Sequence, residues 1–344
     1  MIDLRSDTVT MPSNEMKSFL INAPIGDDVY GEDPSINELE SKISKLFNKE
    51  NALFVPSGTM ANLISVLTHC NRGDEVLLGN KSHIFKYEAG GVSAFGGIHS
   101  NQLKNNDNGT IDVENIKNNI RNINDSHYPK TGLMCLENTH NLCYGAPIKN
   151  EYTASVKKIL NKHDIPLHID GARIFNAAIA LNQNVKTLAH YADSITCCLS
   201  KGLSSPVGSL IISNSEFIHR ARRLRKALGG GMRQAGILAA CGLFSLQKMI
   251  ERLKEDHCNA HELAIQLQNF DEIDIDINNI HTNLIFFNLK TNNITCQDFT
   301  KELLNYEIKI DYKGNDKFRM VTHSGVKNSD IKKITNALKK IFKK

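Results

Sequence analysis

Strand-like apolar runs alternate with helix-like patterns through most of this 344-residue chain, and that alternation restricts the fold more than any other feature. A strand, a helix and a parallel return strand form the repeating unit of α/β proteins with a largely parallel sheet. Strands are expected at 51–55, 75–79, 132–136, 166–169, 194–199 and 207–213. The first clear helix follows Pro34. There Ser35 and Glu38 have capping-box spacing, and Ile36, Leu39, Ile43, Leu46 and Phe47 form an apolar stripe. A second helix opens at Ser57-Gly58-Thr59 and runs to about Cys70. Gly229-Gly230-Gly231 separates a basic helix from a long one that reaches about Leu253. Beyond Glu255 the order becomes helix, two strands, helix, two strands, helix. A large domain over 1–254 and a smaller α+β domain over 255–344 follow, in keeping with ~150 residues per domain.

Charge and composition exclude several classes. Lys and Arg number 41 against 37 Asp and Glu, and a net charge of +4 over this length argues for neither nucleic acid nor a membrane surface. The start, Met1-Ile2-Asp3-Leu4-Arg5-Ser6-Asp7, carries acids where a signal peptide carries a basic and then an apolar region. No window approaches the ~18 consecutive apolar residues of a membrane span. The eight cysteines contain no C-x-x-C pair, and Cys197 and Cys198 sit together in an apolar run, as suits reduced thiols in a cytoplasmic protein.

Ligands of open α/β sheets sit beyond the carboxyl ends of the strands, so the polar residues that follow expected strands carry most weight. Asp170 ends one strand in His168-Ile169-Asp170-Gly171-Ala172-Arg173. Lys201 follows another in Ser200-Lys201-Gly202, and His83 a third in Asn80-Lys81-Ser82-His83. Ser57-Gly58-Thr59 joins a strand to a helix, where free N–H groups and the helix dipole hold an anion such as phosphate. Singly, each has an ordinary explanation: a helix cap, a solvated lysine, a structural histidine. Jointly, a phosphate cradle, an acid and a lysine are the parts that pyridoxal phosphate (PLP) requires. The lysine forms the Schiff base, the acid keeps the pyridine nitrogen protonated, and the helix terminus takes the phosphate. His83 is suited to lie flat on the ring.

The chain resembles the threonine aldolases, fold type I PLP-dependent enzymes of the aspartate aminotransferase superfamily. The resemblance rests on Asp3-Leu4-Arg5-Ser6-Asp7-Thr8-Val9-Thr10, Asp27-Asp28-Val29-Tyr30-Gly31-Glu32-Asp33-Pro34 and Pro56-Ser57-Gly58-Thr59-Met60-Ala61-Asn62. It continues through Glu137-Asn138-Thr139-His140-Asn141, His168 to Arg173, Ser200-Lys201-Gly202-Leu203 and Leu228 to Gln234, spanning essentially the whole chain. It implies Lys201 as the cofactor lysine and Asp170 as partner of the ring nitrogen. His83 would stack on the ring near the substrate hydroxyl, and Gly58 and Thr59 would donate to the phosphate. Ser6, Arg173 and Arg319 would bind the substrate carboxylate, the arginines with a planar fork that matches two oxygens. His127 corresponds to a second histidine near the substrate side chain. Lys226 and Arg233 would face a PLP phosphate, whereas Arg220, Arg222, Arg223 and Arg225 spread over more than one helix face and read as solvent-exposed. His140 reads as structural. Thr8 and Thr10 offer only neutral oxygens, so no metal is expected.

The implied reaction is retro-aldol cleavage of threonine or allo-threonine to glycine and acetaldehyde, in a homodimer or homotetramer with shared active sites. A β-eliminating lyase or aminotransferase on the same fold, and a non-catalytic PLP-binding protein, are the rivals.

Overall fold

The structure is a computed structural model that describes residues 1–291 and 293–343. In chain order its strands are β1 (Ile2–Asp3), β2 (Asn51–Val55), β3 (Glu75–Gly79), β4 (His99–Leu103), β5 (Thr131–Glu137), β6 (Leu167–Asp170) and β7 (Ser194–Cys198). They continue as β8 (Ser209–Ser213), β9 (Ile273–Asp274), β10 (Leu284–Leu289), β11 (Ile308–Lys309), β12 (Asp311–Gly314) and β13 (Lys317–Val321). Among the described residues seven of these form one sheet in the order β2-β8-β7-β6-β5-β3-β4. Its four pairings from β4 to β7 are parallel, while β8 runs antiparallel to both β7 and β2. The strand β2 therefore points the same way as β7. Every residue of β3, β5, β7 and β8 is buried, as helices on both faces demand.

The edge strand β4 escaped the sequence reading. Its residues His99-Ser100-Asn101-Gln102 are polar because one side of the strand meets solvent rather than a neighbour. The helix after Pro34 starts where expected, at Pro34–Phe47, but its cap differs. Asp33, not Ser35, accepts from the N–H of Ile36 at 3.0 Å, while Ser35 Oγ donates to the carbonyl of Pro24. Proline at the first helical position has no N–H to satisfy and a preset φ, which moves the cap back by two residues. The long helix expected to reach about Leu253 ends earlier, as Gly236–Lys248, and the helix expected beyond Glu255 spans Leu253–Gln268.

The chain start belongs with its far end. A second, antiparallel sheet has the order β12-β13-β10-β9, and β1 pairs in parallel with β11. Ile2 and Leu4 pack in one apolar cluster with Leu263, Phe287, Phe299, Phe318 and Ile334.

The basic helix Ser215–Ala227 also departs from expectation. Arg225 is 2% exposed, with Nη2 2.7 Å from Asp28 Oδ2 and Nη1 donating to the carbonyl of Phe54 at 2.8 Å. Arg222 pairs with Glu40 at 2.6 Å, and Arg220 donates to the Thr68 carbonyl. These arginines tie the helix to the chain around it. Arg225→Met should cost about 3–5 kcal/mol in denaturant unfolding, because it leaves the buried Asp28 with only the more distant Arg222, 3.8 Å away, as counter-charge. A loss under about 1 kcal/mol would show that the pair is not needed.

Candidate active site

Five segments converge where the parallel strands end. From β2 the chain passes into Ser57-Gly58, and from β3 into His83, the first residue of the one-turn helix His83–Lys86. Glu137 ends β5, Asp170 ends β6, and β7 leads to Lys201. Strand register sets Glu137 opposite Asp170, and Asp170 opposite Thr196. A cavity of about 240 Å³ brings together Ser6, His83, Arg173, Lys201 and Arg319, with Thr8, Tyr87, Asn141 and Lys313 beside them. A wider hollow of about 610 Å³, lined by Lys49, Lys157, His190 and Asp193, lies at the amino ends of β2 and β7. It is farther from the residues that carry chemistry, and ligand sites of such sheets form at the other end.

Asp170 lies buried at the base of the site. Its Oδ2 accepts from Asn62 Nδ2 at 2.9 Å, and its Oδ1 from the N–H of Ala172 at 3.1 Å. The same Asn62 nitrogen donates to Glu88 Oε1 at 2.8 Å, and Asn62 Oδ1 accepts from Thr196 Oγ1 at 3.1 Å. His83 Nδ1 lies 2.8 Å from that Glu88 oxygen, and the His83 N–H donates to Glu137 Oε2 at 2.7 Å. Burial pulls the His83 pKa down, but the Glu88 hydrogen bond and the charges of Asp170 and Glu88 outweigh it and raise it above the ordinary value. Behind this group His168 and His69 share the Ser194 hydroxyl at 2.8 Å each. Burial lowers their pKa values to about 4 and about 3, which keeps both neutral.

Two guanidinium groups mark the opposite end. Arg173 donates from Nε and Nη2 to the two oxygens of Asp7 at 2.7 and 2.6 Å. Arg319 donates from Nη1 to Asn141 at 2.7 Å, and from Nη2 to Asp311 at 2.8 Å and the Arg5 carbonyl at 2.9 Å. Its Nε is buried without a partner. The two-pronged edge expected of each arginine is thus shared with the protein, which leaves Nη1 of Arg173 and Nε of Arg319 to take a carboxylate. Burial, and then the neighbouring charge of Arg173, lowers the Arg319 pKa. An anion between the two cations relieves that repulsion.

These features fit PLP. At Gly58 an added Cβ would stand 2.8 Å from Cys198 Sγ, so the chain needs glycine where it turns into the helix Gly58–His69. Ser57 caps that helix on the N–H of Met60, and Thr59 follows in its first turn. Thr10 Oγ1 donates to the Lys201 carbonyl at 3.0 Å and fixes the loop that presents the lysine. Besides Asp170 at its base and Gly58 and Thr59 at the start of the helix Gly58–His69, three assigned residues do not line this cavity. His127 is exposed and bonded to Asp125, Lys226 is exposed, and Arg233 pairs with Asp27 at 3.1 Å. His140 is buried, as expected of a structural residue. Asn62 and Asn141 stood inside recognised motifs without a role. Glu88 and Tyr87 carried no sequence signal, since the helix before them is a single turn with no readable period.

Comparison with known proteins agrees with this arrangement. The sequence profile of the beta-eliminating lyases matches residues 3–290. The low-specificity L-threonine aldolase 1 of Arabidopsis thaliana is 45% identical over 333 residues, which cover 96% of this chain and 93% of that protein. The low specificity L-threonine aldolase of Escherichia coli strain K12 is 41% identical over 334 residues, 97% of each chain. In fold, the threonine aldolase of Leishmania major superposes with a TM-score of 0.82 over 99% of both chains, at 18% identity.

The Asp7–Arg173 pair predicts a pH effect on stability. Burial opposes the Asp7 charge, but Arg173, Lys201 and Arg319 overcome it and hold the carboxyl pKa well below the ordinary 3.8. A carboxylate lowered in this way stabilises the fold fully above its unfolded pKa and loses that contribution as pH falls toward its folded one. Asp7→Asn should therefore lower stability at pH 7 and flatten its decline below pH 3.8. Thermal unfolding across pH 2–7 reads this directly, and an acid slope as steep as the parent's would contradict it.

Proposed function

The chain belongs to the beta-eliminating lyase family, in its threonine aldolase branch, and from that membership we propose that it cleaves threonine and allo-threonine between Cα and Cβ into glycine and acetaldehyde. The observation that carries this reading is the convergence of Lys201, His83 and two arginines on one cavity above a buried Asp170. When bound, PLP supplies an aldehyde that binds amines covalently and a cationic ring that draws electrons from the bonds at Cα. Lys201 would anchor it, Gly58 and Thr59 would take its phosphate, and Asp170 would hold a proton at its ring nitrogen. Arg173 and Arg319 orient the substrate carboxylate, with Ser6 beside them. His83 Nε2 accepts the β-hydroxyl proton as the Cα–Cβ bond breaks, which frees the aldehyde. The proton taken from the hydroxyl balances the one that Cα must regain to give glycine.

A coupled assay for acetaldehyde with both threonine diastereomers tests the reaction. The purified protein should hold an adduct that borohydride makes permanent at Lys201, and Lys201→Ala should abolish both adduct and activity. Pyruvate released from serine without acetaldehyde from threonine would support β-elimination instead.

We take the active enzyme to be a homodimer or a dimer of dimers in the cytoplasm. Its free cysteines favour a reducing compartment. Lys226 and Arg233 lie exposed, and the Arg233 guanidinium stands 6.0 Å from the ring of Tyr30, which is exposed like Val29 before it. Such a surface suits contact with a second copy, whose cofactor phosphate these cations would serve. Co-expression of a Lys201→Ala chain with a Lys226→Ala, Arg233→Ala chain should then raise activity above either parent, since mixed dimers contain one site free of both defects. If each site is built from one chain, mixing restores nothing.

A further inference from the structure

Glu88 has no place in the assignments above, yet it is 4% exposed and bonded at the centre of the site. One of its oxygens, Oε1, accepts from Asn62 Nδ2 and meets His83 Nδ1, both at 2.8 Å. The other, Oε2, is buried without a hydrogen-bond partner. Both contacts of the carboxylate thus fall on one atom. Asn62 spends its second N–H on Asp170 at 2.9 Å, so a single amide spans the two carboxylates.

A neutral imidazole carries one N–H, and the group that accepts it decides which nitrogen is left as a base. We propose that Glu88 is the positioning residue that takes the Nδ1–H of His83 and leaves Nε2 as the proton-accepting nitrogen, with Asn62 tying that same carboxylate to Asp170. The proposal rests on the reading of His83 as the group that takes the hydroxyl proton. A metal ion is the competing use of this cluster, because ligand atoms of His83, Glu88 and Asp170 lie within 4.8 Å of one another. The Asn62 amide already donates to both carboxylates, so a cation would have to displace two hydrogen bonds to enter. Proton chemistry needs no such displacement.

The groups that act on the His83 ring are Glu88, Asp170 and Lys201, with Glu137 on its backbone N–H and the Tyr87 ring 5.6 Å away. Glu88 and Asp170 favour the charged imidazole and Lys201 opposes it. Removing the Glu88 charge therefore moves the His83 titration to lower pH. Glu88→Gln does this at nearly constant shape: its oxygen keeps both donors, and its new NH2 falls where Oε2 has no partner.

Nitrogen-15 spectra of histidine-labelled holoenzyme test the proposal without reference to turnover, with His83→Asn to assign the ring. In the parent protein the neutral His83 ring should be protonated at Nδ1, and in Glu88→Gln the ring should titrate at lower pH. Glu88→Asp keeps the charge on a shorter arm, so its midpoint should stay nearer the parent's. A neutral ring protonated at Nε2, an unmoved midpoint in Glu88→Gln, or an equal shift in Glu88→Asp would overturn it. In kinetics, the acid limb of kcat/KM should follow the spectroscopic shift, and Glu88→Ala should lose on the order of 10²-fold in kcat, the low end of a general base's worth. A shift in the spectra without one in the kinetics would uphold Glu88 as the positioning residue and remove His83 as the base.

Discussion

The buried contact between Asp7 and Arg173 is where the two ends of the chain and the reactive lysine are brought into register. Asp7 also accepts from Asn283 at 3.4 Å, next to the small sheet. Within three residues on either side of it, the same short arm makes several other connections. The Leu4 carbonyl accepts from Val321, the Arg5 carbonyl from Arg319, and Thr10 holds the loop of Lys201. An N-terminal arm that crosses from one core to the other explains why Asp3 to Thr10 reads as a dense motif although β1 has only two residues.

Stability and register come from different parts of that arm. Burial of Leu4 contributes roughly 1.5–3 kcal/mol. The ion pair adds little net, since desolvation of two buried charges offsets most of their attraction. Its value lies in direction. Two bonds to one carboxylate fix the plane of the Arg173 guanidinium, and with it the nitrogen that faces the cavity. Glu137 does similar work deeper in the site. It accepts from His83 N–H on one oxygen and from Asn141 N–H at 2.8 Å on the other. Asn141 then orients Arg319, so a single carboxylate links the ring end of the site to its carboxylate end.

The legibility of this molecule in its sequence follows burial and spacing. Strands buried on both faces, such as β3, β5, β7 and β8, are continuous apolar runs and were readable. The polar edge β4 and the two-residue β1 were not, because pairing rather than pattern defines them. Asp170, Lys201 and His83 were legible as polar residues just after apolar runs, and Arg319 only through resemblance. Asn62 and Glu88 stayed hidden for another reason: their meaning depends on contacts 26 and 108 positions apart along the chain. Arg225 looked like one more exposed cation, since nothing local reveals that Asp28 lies beside it.

Charge balance across the site explains why its parts stand where they do. Two carboxylates, Asp170 and Glu88, are buried around one imidazole, so the base of the cavity has an excess of negative charge even when His83 is protonated. At the other end Arg173 and Arg319 face each other, and Asp7 and Asp311 each answer one of them from behind. The cavity between is therefore polarised, negative beneath and positive at the arginines. An amino acid held with its carboxylate at the arginines and its nitrogen end toward a protonated ring aligns with that field at both ends. Uncharged side chains add nothing to either end. Recognition invested in groups that all α-amino acids share would leave the threo or erythro arrangement at Cβ to the region around His83 and Tyr87.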